Sequence, residues 1–330
     1  MKKVVITGGS GFIGTNLINY ILKVSPRTIM LNIDIVPPRD PSHAEFYVYC
    51  DVNDLTALKS EIHNFNPSHV FHLAAATGIG DLPLSVFRTN ICGVSNIIES
   101  VHYLKCLERV IFASSLLVCK VGYIPEGSDE YCPTTSYGIS KMKGEILVKK
   151  KASSFDWVIV RPISIWGPWN SEPYLQFFKS VLNYYYFNIG KFKSFRSLGY
   201  VGNTVYQLCC IATANSSLVS GKTFYLADYK PLSLRSMAQR IASYRCFNSI
   251  IPSFPLFLVK LLALLGDFLN GFNFSFPLTS FRLNNLLVEY VFDLSELREI
   301  CGSLPYSSDD GIQLMVDFMR HKKSFTSSQR

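Results

Sequence analysis

A short β-branched run, Val4 to Thr7, breaks into Gly8-Gly9-Ser10-Gly11-Phe12-Ile13-Gly14, and apolar residues then recur at helical spacing from Phe12 to Leu22. Few folds use a strand that turns through glycines straight into a helix. Glycines at such a turn let backbone amides approach a pyrophosphate, and the helix N-terminus adds a favourable dipole. Asp34 ends the next strand, twenty residues beyond Gly14. A carboxylate there accepts hydrogen bonds from the hydroxyls of an adenosine ribose and repels a 2′-phosphate. Gly8, Gly11, Phe12, Ile13, Gly14 and Asp34 therefore point to NAD rather than NADP, and only Arg39 pulls the other way.

The first half keeps this rhythm. Strands are predicted at Thr28–Ile33, Phe46–Cys50, Val70–Leu73, Arg109–Ala113 and Trp157–Val160, and helices at Leu55–His63, Val86–Leu104 and Ser136–Lys151. Strands alternating with helices of this length give right-handed βαβ units in a parallel sheet. After Arg161 come turn residues Pro162, Gly167, Pro168 and Pro173, then an aromatic-rich helix at Tyr174–Phe187. A helix at Thr204–Ala214, a strand at Thr223–Leu226, a helix at Ser233–Ser243 with Ser233 as N-cap, and a last helix near Asp310–Met319 follow. The expected fold is α/β, a doubly wound parallel (Rossmann) sheet with a smaller, mostly helical substrate lobe. Residues 1–167 would form the nucleotide-binding part, with 198–227 returning to it, and 168–197 and 228–330 the lobe.

Two further segments carry chemistry. In Tyr137-Gly138-Ile139-Ser140-Lys141 the tyrosine and lysine stand one helical turn apart on one face. An ammonium beside a phenol favours the phenolate and lowers the tyrosine pKa toward that of a general base. Alone, the pair is common surface decoration. Phe112-Ala113-Ser114-Ser115 ends a strand, and the C-terminal edge of a parallel sheet faces the ligand crevice. Alone, two serines there are turn chemistry.

Taken together, these elements resemble the extended short-chain dehydrogenase/reductases, particularly the nucleotide-sugar epimerase/dehydratase group, from Lys2 to about Phe318. The resemblance implies Ser115, Tyr137 and Lys141 as the catalytic set. It adds Asp51 and Val52 beside adenine, Leu73, Ala74 and Ala75 beside the cofactor, and Asn90 in an Asn90–Gly93–Asn96 pattern. Arg161-Pro162 with Trp166-Gly167-Pro168 resembles the segment leading to the substrate lobe, which adds Pro162 to the cofactor set. Ser164, Arg196 and Arg282 are implied on the substrate, Arg196 at its diphosphate. Phe292-Asp293-Leu294-Ser295 resembles the segment that closes the lobe, and a homodimer through the helices near 86–104 and 136–151 is a further implication.

Departures from the family pattern narrow the reaction. Dehydrating members carry acids where this chain has Leu116 and Leu117, and leucine exchanges no proton. Members that epimerise C3 and C5 carry a cysteine at the position of Leu116. Val118-Cys119-Lys120 replaces Val-Tyr-Gly, Ser164 replaces an asparagine, and Gly202-Asn203 replaces an Asp-Asp pair, so substrate recognition diverges. The reading is NAD-dependent C4 epimerisation of a nucleotide-linked sugar. A 4-ketosugar reductase or sugar dehydrogenase, a hydroxysteroid-type dehydrogenase and a non-catalytic NAD-sensing regulator are its alternatives.

Bulk properties set the boundaries. An apolar fraction of 48% with 17% charged residues describes a globular chain with a large core. The net charge of +8 is dispersed, which suits an anionic small substrate better than nucleic acid. Nine cysteines without C-x-x-C read as reduced packing residues, hence a cytoplasmic setting, and no histidine has ligand spacing, so no metal is expected. Phe254 to Phe268 is apolar but broken by Pro255, Lys260 and Asp267, which predicts a buried or amphipathic helix without stable membrane insertion.

Overall fold

A computed structural model describes the chain except residues 79–81, 171–172, 191–193, 246, 248–249, 272–277 and 328–330, and the side chains of 281–282 and 322–327. Strands β1 (Lys3–Thr7), β2 (Ile29–Asp34), β3 (Tyr47–Tyr49), β4 (His69–His72), β5 (Arg109–Ala113), β6 (Trp157–Pro162) and β7 (Thr223–Leu226) form one seven-stranded sheet in the order β7-β6-β5-β4-β1-β2-β3. Every pairing is parallel. The order reverses between β1 and β4, where a doubly wound sheet opens a crevice at its C-terminal edge.

Alternation along the strands explains the two layers. Val4 and Ile6 face a core with Leu17, Ile18 and Ile21 of α1 (Phe12–Val24) and with the lobe helices. Val5, between them, faces α2 (Leu55–Phe65), α3 (Thr89–Val101) and α4 (Ser136–Lys151) through Leu58, Ile97 and Val148. Both faces are covered, so the strands read as continuous apolar runs.

The second half adds α5 (Tyr174–Leu182), α6 (Val201–Thr213), α7 (Ser216–Val219), α8 (Leu234–Ala242), α9 (Leu256–Gly271), α10 (Ser280–Leu287), α11 (Ser295–Cys301) and α12 (Ser308–Ser327). Trp166, Phe178, Val205, Met237 and Met315 join the α1-side core, so sheet and lobe share one interior. Ser233 caps α8 by accepting the Ser236 amide, and Ser307 and Asp310 accept each other's amides at the start of α12.

Two expected helices differ. The stretch from Val86 divides into a 3₁₀ turn, Leu84–Phe87, and α3, with Phe87 buried at the junction. The aromatic helix ends at Leu182 rather than Phe187, because Tyr184 turns left-handed at φ 66° and Asn188–Ile189 pairs with Ser253–Phe254. Phe187 belongs to that pairing, packing edge-on to Phe254 at 5.0 Å.

Candidate active site

The glycine turn is built by close backbone approach. Gly8 has φ +74°, and a Cβ there would lie 2.6 Å from the Ala74 amide nitrogen. A Cβ at Gly14 would lie 2.3 Å from the Gly8 carbonyl oxygen. Neither position admits a side chain without moving main chain. Asp34 accepts the amides of Ser10 at 3.1 Å and Val36 at 3.2 Å, while burial pushes its carboxyl above the usual range against those bonds. Arg39 donates instead to the Trp169 carbonyl at 2.6 Å.

The rest of the predicted cofactor set follows the same sheet edge. Asp51 accepts from the amide and side chain of Asn53 just past β3, and buried Val52 is held through its carbonyl by Asn96 at 2.9 Å. Asn90 accepts the Ala76 amide at 2.8 Å and donates to the Ala76 carbonyl and Ser140. It thereby clamps the loop containing Leu73, Ala74 and Ala75 to α4. Pro162 closes β6 opposite Leu226. An amide-lined turn, a carboxylate at the tip of β2 and a shaped loop after β4 fit the pyrophosphate and ribose of NAD.

Ser115 and Tyr137 meet where β5 and α4 approach. Ser115 accepts the Leu117 amide at 3.1 Å, starting a short 3₁₀ turn over Leu116–Val118, and its hydroxyl acts on the Tyr137 phenol in the direction that favours the phenolate. Thr135 caps α4 through the Gly138 amide, which sets Tyr137 in the first turn. Gly138 is required there, because a Cβ would lie 2.1 Å from the Leu117 carbonyl oxygen. Phe87 braces the phenol edge-on at 5.7 Å.

Lys141 follows one turn later but donates to the Ala113 carbonyl at 2.8 Å. Burial pulls its ammonium down to about 8, with the Glu145 carboxylate working the other way. The sequence predicts a tyrosine pKa lowered by this lysine. Instead burial raises it, opposed by the Ser115 hydroxyl, while the Lys141 ammonium points to the Ala113 carbonyl.

Behind this set lies a buried ion pair with no local sequence signal. Glu145 takes two hydrogen bonds from Arg161, at 2.9 and 2.7 Å, and a third from Tyr131 at 3.0 Å. Arg161 is wholly enclosed, stacked over Tyr131 and Tyr225. Burial works against its charge, yet Glu145 holds its pKa above the usual value. The pair ties β6 to the helix carrying Tyr137 and Lys141.

On the lobe side, Ser164 sits left-handed at φ 46°, a conformation that asparagine adopts more readily than most residues. Its hydroxyl lies 3.0 Å from the Tyr290 hydroxyl and favours ionisation of the buried Tyr174 phenol, which burial itself opposes. Arg196 stacks over Tyr290 at 5.3 Å and donates to the Asn285 carbonyl at 2.5 Å, leaving its buried Nε without a partner among the described atoms. Ser164 and Arg196 are thus gathered through Tyr290, which the sequence did not single out. The Arg282 side chain lies outside the described residues. Asn203 is structural, donating to Asp228 at 2.8 Å and to the Tyr306 carbonyl at 3.0 Å. A mainly apolar cavity of about 200 Å³ lies deeper in the lobe, lined by Phe177, Tyr186, Leu234, Val259 and Leu286, away from Tyr137.

A nucleotide crevice at the switch point of a doubly wound sheet, with serine, tyrosine and lysine on its edge, defines an α/β protein equipped for dinucleotide chemistry. The chain belongs to the NAD dependent epimerase/dehydratase family, whose model matches residues 4–227. It is 28% identical over 198 residues to a UDP-glucose 4-epimerase of Mycoplasma pneumoniae, covering 54% of this chain and 56% of that protein. It is 23% identical over 259 residues to a 3 beta-hydroxysteroid dehydrogenase/Delta 5-->4-isomerase of Mycobacterium tuberculosis, covering 73% and 69%. The chain spans about half the length of the UDP-glucose 4-epimerases it matches. The crystal structure of a UDP-glucose 4-epimerase with UDP-glucose from Thermotoga maritima superposes with a TM-score of 0.73 at 15% identity, over 97% of this chain and 99% of that one, a likeness of fold.

Proposed function

We propose that the chain catalyses NAD-dependent epimerisation at C4 of a nucleotide-linked sugar. The observation that carries this reading is the neighbourhood of Ser115. The Ser115 hydroxyl lowers the pKa of the Tyr137 phenol against burial, while Leu116 packs against the cluster of Ile163, Tyr290 and Phe292. The one proton-moving site is flanked by hydrocarbon where an elimination would need an acid. Tyr137 takes the proton of the sugar hydroxyl, Ser115 orients that oxygen by donating to it, and Lys141 supplies positive charge beside the reacting groups. NAD, when bound, accepts a hydride and gives it back, so the reaction has no net oxidation. Arg196 and Ser164, with Tyr174 and Tyr290, hold the nucleotide-linked end. The relatives named as UDP-glucose 4-epimerases support this reading.

A second reading, hydroxysteroid-type dehydrogenation, is favoured by the longer match to the mycobacterial steroid enzyme and by the apolar cavity in the lobe. One experiment separates the two. The purified protein with NAD is offered a panel of UDP- and dTDP-hexoses, and products are read by proton NMR for inverted C4. An equilibrium pair of C4 epimers without net NADH supports the proposal. Net reduction or oxidation of a sugar, or NADH formed only with steroids, replaces it.

A further inference from the structure

Helix α9 is built inside out. Its inward face is small, with Val259, Ala263 and Gly266 buried, the first two packing on Leu283 of α10 together with Phe187 and Ile189. Its large side chains point the other way: Phe257, Leu258, Leu261, Leu262, Leu264 and Leu265 are all exposed, Phe257 at 63% and Leu261 and Leu264 at 59% each. At about 100° per residue these six span an arc of roughly 160°. Lys260 and Asp267 stand at one rim of that arc rather than within it. A helix that only packs against protein and faces water does the opposite, burying its leucines and exposing its charges. A continuous exposed apolar face of this extent marks an interaction surface.

Charge selects the partner. From residue 230 to residue 288 the chain carries Lys230, Arg235, Arg240, Arg245, Lys260 and Arg282 against the single carboxylate of Asp267. Six basic residues against one acid give this stretch a net charge of +5. Arg235 donates to the Gly190 carbonyl, and Arg245 to the Val181 carbonyl while stacking over Tyr184. Neither these two nor Lys260 pairs with a carboxylate among the described residues. An apolar face with exposed Lys260 at its rim and Arg235 beside it, donating to the Ser253 hydroxyl just before α9, matches a surface of hydrocarbon beneath anionic headgroups. Length fixes the mode of contact. Sixteen residues at about 1.5 Å each give about 24 Å, short of the ~30 Å of a bilayer core. No helix among the described residues is long and apolar enough to cross a membrane.

We propose that α9 docks this chain on the surface of an anionic lipid bilayer, lying in the interface with its leucine face in the acyl boundary. Lys260, at the rim, extends its ammonium to the headgroups. The contact also has a route to the site. Leu283 of α10 packs on α9, and the Asn285 carbonyl of the same helix receives Arg196.

The test is co-sedimentation of the full chain with vesicles of phosphatidylcholine, with and without phosphatidylglycerol. Binding to the anionic vesicles is expected to weaken as salt is raised. It should fall at least ~10-fold in the double variant Leu261→Asp/Leu264→Asp. Both positions are exposed, so circular dichroism and NAD affinity should match the parent, which separates lost docking from lost folding. Lys260→Glu should weaken binding to anionic vesicles alone. Failure of the parent protein to bind anionic vesicles at low salt would overturn the proposal, as would unchanged binding by the double variant. A dimer in free solution that the double variant splits, with no vesicle binding by either, would assign the face to a second copy instead.

Discussion

In the sheet half of the molecule, the serine and tyrosine of the candidate site are seated by near neighbours in sequence; in the lobe, Ser164 and Arg196 are held by partners far along the chain. Ser115 is fixed by the Leu117 amide and Tyr137 stands beside the Thr135 cap, each within a few positions. Ser164 meets Tyr290, 126 residues on, and Arg196 reaches Asn285, 89 residues on. Groups seated in local turns depend on few other residues for their geometry. Groups assembled over long distances depend on how the lobe packs. That contrast accounts for a chain that keeps the serine, tyrosine and lysine but changes residues on the substrate side.

The sharpest way to break the comparison is at the phenol. Tyr137→Phe removes the group proposed to move the proton, and turnover should fall by about 10²–10⁴-fold with NAD still bound. Near-normal turnover, measured by the C4 NMR assay, would sink its assignment.

Glu145→Gln tests whether the sheet half depends on more than local turns. Removing one partner of an enclosed ion pair should cost about 3–5 kcal/mol of stability, read by urea unfolding. A loss below about 1 kcal/mol would mean that water or Tyr225 takes over the charge of Arg161.

The buried ammonium supplies a pH test. Burial lowers Lys141 from 10.5 to about 8, so the charge beside Tyr137 is lost as pH rises through about 8. An alkaline limb near that value should appear in kcat/KM and move upward in Lys141→Arg. Stability moves the opposite way. Between about 8 and 10.5 the unfolded chain holds a proton that the folded chain has released, so this group's contribution to stability rises with pH. The difference in unfolding free energy between the parent and Lys141→Met across that window measures it.

The smallest effect belongs to the lobe. Ser164→Ala removes the hydroxyl bonded to Tyr290, worth about 0.5–1.5 kcal/mol. KM for the nucleotide sugar should rise up to about 10-fold, with NAD affinity unchanged. A fall in kcat at constant KM would instead give Ser164 a part in the chemistry.

Much of the sheet half was legible because its rules are short-range. A glycine-rich turn between strand and helix, an acid closing the second strand, and tyrosine and lysine one turn apart can each be read within a short stretch or one strand repeat, although the Cβ that Gly8 excludes would meet Ala74, far along the chain. Strands β5 and β7 and helix α4 have the limits that their patterns predict. The aromatic stretch after Tyr174 misled for the same reason. Its periodicity is helical through Phe187, but the pairing of Asn188–Ile189 with a segment over sixty residues away ends the helix at Leu182. In Phe254 to Phe268 the sequence shows an apolar helix, but not that its leucines face outward.

By itself, then, the sequence determined the nucleotide turn, the acid that favours NAD and the order of strands and helices, because each follows from backbone sterics or side-chain period. Only the tertiary structure decided three things: that Lys141 spends its ammonium on the Ala113 carbonyl, that Glu145 and Arg161 form an enclosed pair, and that Tyr290 gathers Ser164 and Arg196. Burial sets a charge's pKa and long-range packing sets its partner, and neither quantity exists until the chain has folded.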